Sequence, residues 1–198
     1  AAILTIDGVG EWATASYGMG DGNKITMIEQ MNFPNSLGLL YSAFTKFIGF
    51  KVNSGEYKMM GLAPYGEPIY ENIILNNLVQ INEDGSINID QSYFEFISGS
   101  MMTNKKFADL FGGKALKPNS RITRREMDIA ASIQKVTEKV IFKMAAYVKK
   151  ITKDENLCIS GGVALNCVIN GHLQKSNLFK KIWIQPASGD AGSSLGCA

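Results

Sequence analysis

Three apolar segments of this chain each run directly into glycine, and this arrangement restricts the possible folds more than any other feature. A short apolar run that meets glycine is typical of a buried strand ending in a tight turn. The segments are AILTID-GVG at 2–10, LCIS-GG at 157–162 and IWIQPAS-GDAG at 182–192. In open α/β sheets, ligands bind beyond the ends of the strands. The chain is therefore expected to carry a ligand site along one edge of a sheet.

The first of these segments opens a predicted three-stranded meander. We expect strands at 2–7, 12–20 and 24–31, with Asp21-Gly22-Asn23 as the turn between the last two. A second hairpin is predicted around Glu83-Asp84-Gly85. Because the strands of a meander pair antiparallel, one part of the sheet is antiparallel.

The clearest single element is a long helix from about 123 to 153. Its Ile, Val and Met side chains recur at helical spacing, and Thr123 with Glu126 forms a capping box at its start. The elements expected after it are a strand at 157–160, a helix at 163–175, a strand at 181–185 and a final helix from about Asp190. A meander followed by this alternation predicts an α/β domain with a mixed sheet and flanking helices.

Several side chains outside the long helix are expected in the core. Phe94 and Phe96 alternate in a predicted strand, and Cys158 lies in a strand that we expect to be buried. One face of a helix that follows Asn35-Ser36 is apolar and consists of Leu37, Leu40, Tyr41, Phe44 and Phe47.

Length and charge limit the class of protein. The 198 residues suffice for one ample domain or two small lobes. The net charge of +2 is small, whereas a dedicated nucleic-acid binder usually shows a basic stripe, so we expect no nucleic-acid partner. The basic residues that come nearest to a stripe form either a solvated surface or an anion patch, and they are Lys114, Lys117, Arg121, Arg124 and Arg125.

Hydropathy and cysteine usage indicate a compartment. No apolar run reaches 18 residues, so we expect no membrane span. The three cysteines are odd in number and none belongs to a CxxC pair, which predicts reduced thiols in a cytoplasmic protein. The chain opens inside one apolar run and closes where a helix has barely started, so we interpret it as part of a longer protein, truncated at both ends.

The residues at the three strand ends suggest phosphate and cation binding. Glycine lets the backbone approach a phosphate closely, which makes candidates of Gly8, Gly10, Gly161, Gly162, Gly189 and Gly192. A carboxylate repels phosphate unless a cation lies between them, so Asp7 and Asp190 are candidate ligands of one divalent metal. The alternative is that both aspartates are merely turn and N-cap residues.

Two further side chains, Lys58 and His172, carry groups that could bind a ligand or transfer a proton. Lys58 lies in the segment GEYKMMGLAPYG, whose glycines and prolines suggest a loop shaped for a ligand, so it either contacts phosphate or lies free on the surface. His172, the single histidine, is expected on the surface of a helix. These patterns assign no catalytic residue.

Taken in order, the three ends read strand-Asp-Gly, strand-Gly-Gly-helix and strand-Asp-x-Gly-helix. This order resembles the actin, sugar kinase and Hsp70 ATP-binding superfamily, whose sheet is ribonuclease H-like. Longer stretches resemble the NodU/CmcH family of O-carbamoyltransferases, and they are AAILTIDGVGEWATAS, FPNSLGLLYSAFTKFIGFKVNSGEYKMMGLAPYG, ISGGVALNCVINGHL and IWIQPASGDAGSSLGCA. The resemblance covers the chain from end to end and is least distinctive at 69–120.

The resemblance implies an activity and its cofactors. Such enzymes make carbamoyladenylate from ATP and carbamoyl phosphate, and then transfer the carbamoyl group to a hydroxyl of a small-molecule acceptor. A Kae1-like ATP-binding domain, of which residues 1–198 would be a fragment, holds a divalent metal, which is Fe²⁺ in the best-known relatives. A YrdC-like domain, expected after residue 198, makes the adenylate, and an HxxxH motif, expected before residue 1, supplies two metal ligands.

The resemblance also implies roles for particular residues. Asp7 and Asp190 match the family's metal-binding aspartates, and the triphosphate would lie between them. The stretch GGVALN matches the family's nucleotide-contacting segment, which carries the roles over to Gly161, Gly162, Val163 and Asn166. The alternatives are a nucleotide-binding module without chemistry, or a related threonylcarbamoyl transferase or sugar kinase.

Overall fold

A computed structural model describes residues 1–97, 99 and 101–198. The strands are β1 Ala2–Ile6, β2 Ala13–Asp21, β3 Lys24–Asn32, β4 Val79–Ile81, β5 Ile87–Ile89, β6 Asn156–Ser160 and β7 Lys181–Ile184. The α-helices are α1 Leu37–Phe47, α2 Glu56–Leu62, α3 Glu71–Asn77, α4 Lys105–Leu110, α5 Arg124–Thr152, α6 Cys167–Lys175 and α7 Asp190–Cys197. Short 3-10 turns lie at Ala63–Tyr65, Gln91–Tyr93 and Gly162–Leu165. No helix in these described ranges is both long and apolar enough to cross a membrane.

The chain divides into two compact units. The first, here called the sheet unit, comprises 1–39, 82–87 and 140–198. The second, here called the helical unit, comprises 40–81 and 88–139. The long helix α5 therefore contributes its first half to the helical unit and its second half to the sheet unit.

The sheet unit contains a five-stranded mixed sheet in the order β3-β2-β1-β6-β7. β1, β2 and β3 pair antiparallel, whereas β6 runs parallel to β1 and β7 runs parallel to β6. The predicted opening meander and mixed sheet are thus confirmed. Because β1, β6 and β7 are parallel, their carboxyl ends meet at one edge of the sheet.

One face of this sheet forms the core of the sheet unit. Leu4 and Ile6 of β1 and Leu157 of β6 are buried there. The Tyr17 ring of β2 packs edge-on against Tyr147 of α5, with 5.6 Å between ring centroids. Burial of each large apolar side chain contributes about 1.5–3 kcal/mol, and the Tyr147 ring links the second half of α5 to this face.

The helical unit has an aromatic core. The apolar face predicted for α1 is buried, and Phe44 and Phe47 pack against Phe107 and Phe111 with centroid separations of 5.0–5.7 Å. Most of the predicted apolar face of α5 is confirmed, since Ile129, Ile133, Val136, Val140, Met144 and Val148 are buried. Ile151, also predicted on this face, is only half-buried next to the end of the helix.

The predicted capping box is present at the start of α5. The Glu126 carboxylate accepts hydrogen bonds from the backbone N–H of Thr123 at 2.9 Å and from its hydroxyl at 2.5 Å. These bonds satisfy donors that a helix start leaves unpaired. The predicted second hairpin is also confirmed, because β4 and β5 form a two-stranded sheet.

Expectations about the core are wrong for Phe96 and Cys158, and the strand expected at Phe94 is wrong although the Phe94 side chain is in the core. Phe94 is buried, but it follows a 3-10 turn and makes only an isolated bridge to Thr103, and Phe96 is half-exposed. The Asp90 carboxylate accepts the Ser92 N–H at 2.9 Å, which favours a turn over a strand there. Cys158 is only half-buried, because it points to the sheet face opposite its buried neighbours in β6.

Candidate functional site

A cavity of about 700 Å³ lies in the sheet unit where β1, β6 and β7 end. Asp7 enters its wall directly after β1, and Ser160 and Gly161 enter at the end of β6. The segment that joins β7 to α7 supplies a third side, with Gln185, Ala187, Ser188, Gly189 and Asp190. The edge of the sheet that the sequence predicts as a ligand site therefore carries a cavity lined by all three strand ends.

Asp7 is fixed where the first strand end meets the second. Its Oδ1 accepts hydrogen bonds from the backbone N–H of Gly8 at 2.7 Å and of Gly162 at 3.3 Å. Its own N–H donates to the carbonyl of Thr14 at 2.9 Å. The carboxylate is half-buried and held by backbone groups of two segments 155 residues apart, so its orientation is set by the fold.

Gly161 lets β6 close tightly on both neighbouring strand ends. Its φ of +96° lies in a region that side chains rarely adopt, and an added Cβ would collide with the Ile6 carbonyl. The Gly161 N–H donates to the Ser188 carbonyl at 2.8 Å. The first glycine of the pair is therefore required for the approach of three backbone segments, independently of any ligand.

The helix predicted from Val163 begins later than expected. Residues Gly162–Leu165 form a 3-10 turn, and α6 begins at Cys167 with Asn166 as its N-cap. The Asn166 side chain accepts the N–H of Ile169 at 3.2 Å, and its ψ of +86° breaks the helical path. The expected helix start at the double glycine is wrong, because asparagine caps the helix four residues further on.

The third glycine motif starts α7. Asp190 is the first residue of that helix and is exposed, and its N-cap, Gly189, provides no side-chain hydrogen bond. An added Cβ on Gly192 would collide with the carbonyl of Ala187, and one on Gly189 would lie 3.9 Å from Gly162 Cα. The second and third strand ends are joined by the hydrogen bond from the Gly161 N–H to the Ser188 carbonyl.

The predicted site residues fall into four groups. Those that line the cavity are Asp7, Gly10, Gly161, Gly189, Asp190 and Gly192. Gly8 and Gly162 donate to Asp7 beside it, whereas Val163 and Asn166 lie in the turn and cap that follow. Lys58 belongs to the helical unit.

The cavity offers oxygen donors to a cation. Asp7 and Asp190 both line it, and carboxylate oxygens suit hard cations such as Mg²⁺. Within the described residues, no group of three or more His, Cys, Asp and Glu side chains could hold a metal ion. His172 is exposed on α6, as predicted. In the part of the chain that the structure describes, the two carboxylates are accompanied by none of the imidazole ligands that favour iron or zinc.

Trp183 and Ser188 are among the residues of the cavity wall that the sequence patterns did not predict. The Trp183 side chain is 59% exposed on β7. Ser188 is buried and precedes Gly189 directly. Its position beside a glycine-aspartate pair was the one available signal, and it does not distinguish a serine that lines a cavity from one that forms a turn.

The segment around Lys58 is anchored within the helical unit. Lys58 is exposed on α2. Beyond α2, the Glu67 N–H donates to Asp128 Oδ1 at 2.8 Å, and an added Cβ on Gly66 would collide with the Met127 carbonyl. The close approach at Gly66 and the hydrogen bond to Asp128 thus hold the segment against the first half of α5, and Lys58 remains exposed to solvent.

The basic residues near α5 are partly committed to ion pairs. Arg124 bonds to Glu67 and Asp128, both at 2.9 Å, and Arg125 bonds to Glu126 at 2.7 Å. Lys114, Lys117 and Arg121 are exposed. The two arginines therefore have a structural role at the start of α5, which favours the interpretation of a solvated surface over an anion patch.

Comparison with known proteins places this architecture in a family. Residues 1–198 match the model of the family described as "Carbamoyltransferase N-terminus". An uncharacterized protein of Synechocystis sp. is 59% identical over 198 residues, which is all of this chain and 32% of that protein. Nodulation protein NolNO of Sinorhizobium fredii is 33% identical, over 99% of this chain and 27% of its own length.

A third relative has an identity and coverage similar to those of NolNO. Nodulation protein NolO of Bradyrhizobium diazoefficiens is 31% identical over 196 residues, which are 99% of this chain and 34% of that protein. The chain thus spans about a third of the length of these relatives. The family match covers the chain from its first residue to its last, including all three strand ends that line the cavity. The chain therefore belongs to the carbamoyltransferase N-terminal family.

Proposed function

We propose that this chain is the nucleotide-binding part of an O-carbamoyltransferase. The whole enzyme would make carbamoyladenylate from ATP and carbamoyl phosphate, and would transfer the carbamoyl group to a hydroxyl of a small molecule. The observation that carries this proposal is the cavity at the ends of β1, β6 and β7, in a chain that matches a carbamoyltransferase family over its full length.

The cavity supports nucleotide binding through its backbone and its carboxylates. Gly10, Gly161 and Gly192 line the cavity, and close approach of backbone N–H groups to the ligand is what phosphate binding requires. Asp7 and Asp190 would hold a divalent cation. When bound, that cation supplies positive charge which offsets the repulsion between carboxylate and phosphate.

The same proposal includes the fold superfamily, a second domain and the cellular location. The sheet order β3-β2-β1-β6-β7 supports the ribonuclease H-like fold of the actin, sugar kinase and Hsp70 superfamily. A YrdC-like domain of the same polypeptide would supply the adenylate. The three free thiols support a cytoplasmic location.

The proposal is tested by assaying two purified polypeptides with ATP, carbamoyl phosphate, a divalent metal and a panel of hydroxyl acceptors. One polypeptide is this chain and the other has the full length of the relatives. We expect the longer one to carbamoylate an acceptor and this chain alone to be inactive, because it lacks imidazole ligands in its cavity.

Two outcomes would contradict the proposal. If the longer polypeptide binds ATP but transfers no carbamoyl group to any acceptor, the chain is a nucleotide-binding module without chemistry. If it phosphorylates an acceptor instead, the sugar kinase alternative is correct. Product identity is read by mass spectrometry, which separates a carbamoyl adduct from a phosphoryl adduct.

A further inference from the structure

Ser188 has a buried hydroxyl with no hydrogen-bond partner among the described residues. The residue is 4% exposed, and its Oγ is one of the buried side-chain atoms left unpaired there. Ser188 also lines the cavity at the strand ends. Buried hydroxyls are almost always hydrogen-bonded, so an unpaired one beside a cavity calls for a partner from outside the chain.

The backbone fixes Ser188 in this place. Its carbonyl accepts the Gly161 N–H at 2.8 Å, and the Ser160 hydroxyl lies 3.4 Å from the same oxygen. The residue is therefore held against the end of β6, and the next residue, Gly189, is the N-cap of α7. Because these bonds use the backbone of Ser188, its hydroxyl remains available for a ligand.

The surroundings indicate which group the hydroxyl would meet. The eight-residue helix α7 begins at Asp190, and no side chain caps its N-terminus. Helix N-termini favour anions, because their first N–H groups are unpaired and the helix dipole is positive there. A hydroxyl donor beside such a terminus matches a phosphate oxygen, with the charge of Asp190 offset by a cation.

We propose that Ser188 donates a hydrogen bond to a phosphate oxygen of the nucleotide bound in this cavity, next to the N-terminus of α7. This role rests on the proposed function, since it needs a nucleotide in the cavity. Ser188 is thus proposed as a binding residue for the phosphate part of the ligand.

The test compares the affinities of the purified protein for ATP, AMP and adenosine in the presence of Mg²⁺. Ser188→Ala is expected to weaken binding of ATP by about tenfold, the loss typical of a hydrogen bond to a charged group, and to leave adenosine binding unchanged. Ser194→Ala is the matched control, because it removes an exposed α7 hydroxyl that bonds only to the Ala191 carbonyl. AMP shows whether the first phosphate or a later one is the partner.

Thermal unfolding without ligand provides a second measurement. Ser188→Ala should keep or raise the Tm, because it removes a buried hydroxyl that has no partner. Unchanged ATP affinity, an equal loss for adenosine, or a lowered Tm would each overturn the proposed role. If the wild-type protein binds neither ATP nor AMP, the nucleotide cavity of the proposed function is itself contradicted.

Discussion

At the scale of single residues, the glycines of this chain meet two separate requirements. Gly161 and Gly192 are needed because other backbone carbonyls occupy the space of their missing side chains. A glycine motif at a strand end thus indicates tight backbone packing as directly as it indicates phosphate binding. Gly8, by contrast, has open space around it, and no side chain or backbone group would obstruct a Cβ there.

The packing role of Gly161 gives a testable prediction. Gly161→Ala should lower the free energy of unfolding by about 2 kcal/mol or more, because the positive φ and the collision with the Ile6 carbonyl both oppose a side chain. Urea denaturation measures this change. Gly171→Ala is the control, since Gly171 lies inside α6 with open space around it, and it should stabilise by about 0.5–1 kcal/mol. Equal effects of the two substitutions would contradict the packing account.

Sequence reasoning reached some residues of the site and missed others for a physical reason. Asp7 and Asp190 could be placed in one cavity, because each follows a strand and parallel strands end at a common edge. Ser188 could not be predicted as a site residue. Its hydroxyl stands out because it is buried and has no hydrogen-bond partner among the described residues, and this depends on neighbours distant in sequence.

At the scale of elements, the spacing of apolar residues predicts helices and strands correctly in most of the chain. The prediction fails where a capping or turn-forming side chain begins or ends an element at another position. The buried face of α5 and its capping box follow from the spacing of residues along the sequence. The start of α6 does not follow from the spacing. Val163 and its neighbours have helical spacing, but Asn166 caps the helix further along the chain. Phe94 and Phe96 alternate as in a strand, but the Asp90 turn before them prevents one.

The anchoring of the segment that carries Lys58 gives a prediction at this scale. Asp128→Ala should speed hydrogen exchange at the Glu67 amide by more than about tenfold, because that N–H loses its acceptor. The reference is Asp109→Ala, which removes an exposed carboxylate from α4 in the same unit. Exchange that stays as slow as in the wild-type protein would show that Asp128 does not hold the segment.

The capping box of α5 gives a prediction about pH. Burial acts to raise the pKa of Glu126, but hydrogen bonds from Thr123 and Arg125 and the Arg125 charge outweigh it, so the pKa lies below its ordinary value of 4.5. A lowered folded-state pKa stabilises the protein above the unfolded-state pKa, and this contribution disappears as pH falls through the folded-state value.

The wild-type protein should therefore lose stability from about pH 4.5 downward. Glu126→Gln should be less stable at pH 7 and should show a shallower loss over that acidic range. Urea midpoints measured from pH 7 to pH 3 check both expectations. Parallel curves for the two proteins would mean that the Glu126 charge contributes nothing to stability.

At the scale of the whole molecule, the family assignment and the division into units bear on different questions. The match over residues 1–198 identifies the family, whereas the chain covers only about a third of its relatives. All cavity-lining residues belong to the sheet unit, while Lys58 belongs to the helical unit. Nucleotide binding can therefore be tested by substitutions in the sheet unit alone, whereas the proposed carbamoyl transfer is tested on a polypeptide with the full length of the relatives.

The central claim is that the three strand ends form one site for a nucleotide and a cation. Its most direct test is the affinity of the purified protein for ATP, with and without Mg²⁺, in the wild type and in Asp7→Asn and Asp190→Asn. Asp7→Asn keeps an oxygen that can accept the N–H groups of Gly8 and Gly162, so it changes mainly the charge. Asp21→Asn, at an exposed hairpin, is the control.

We predict that Mg²⁺ strengthens ATP binding in the wild-type and control proteins. Each cavity variant should lose most of this effect, about 100-fold in Mg²⁺ affinity, because a direct ligand contributes at least as much as the roughly 10–100-fold of an outer-shell partner. The claim would be contradicted if ATP binding by the wild type were independent of Mg²⁺. It would also be contradicted if Mg²⁺ strengthened ATP binding as much in both cavity variants as in the wild type.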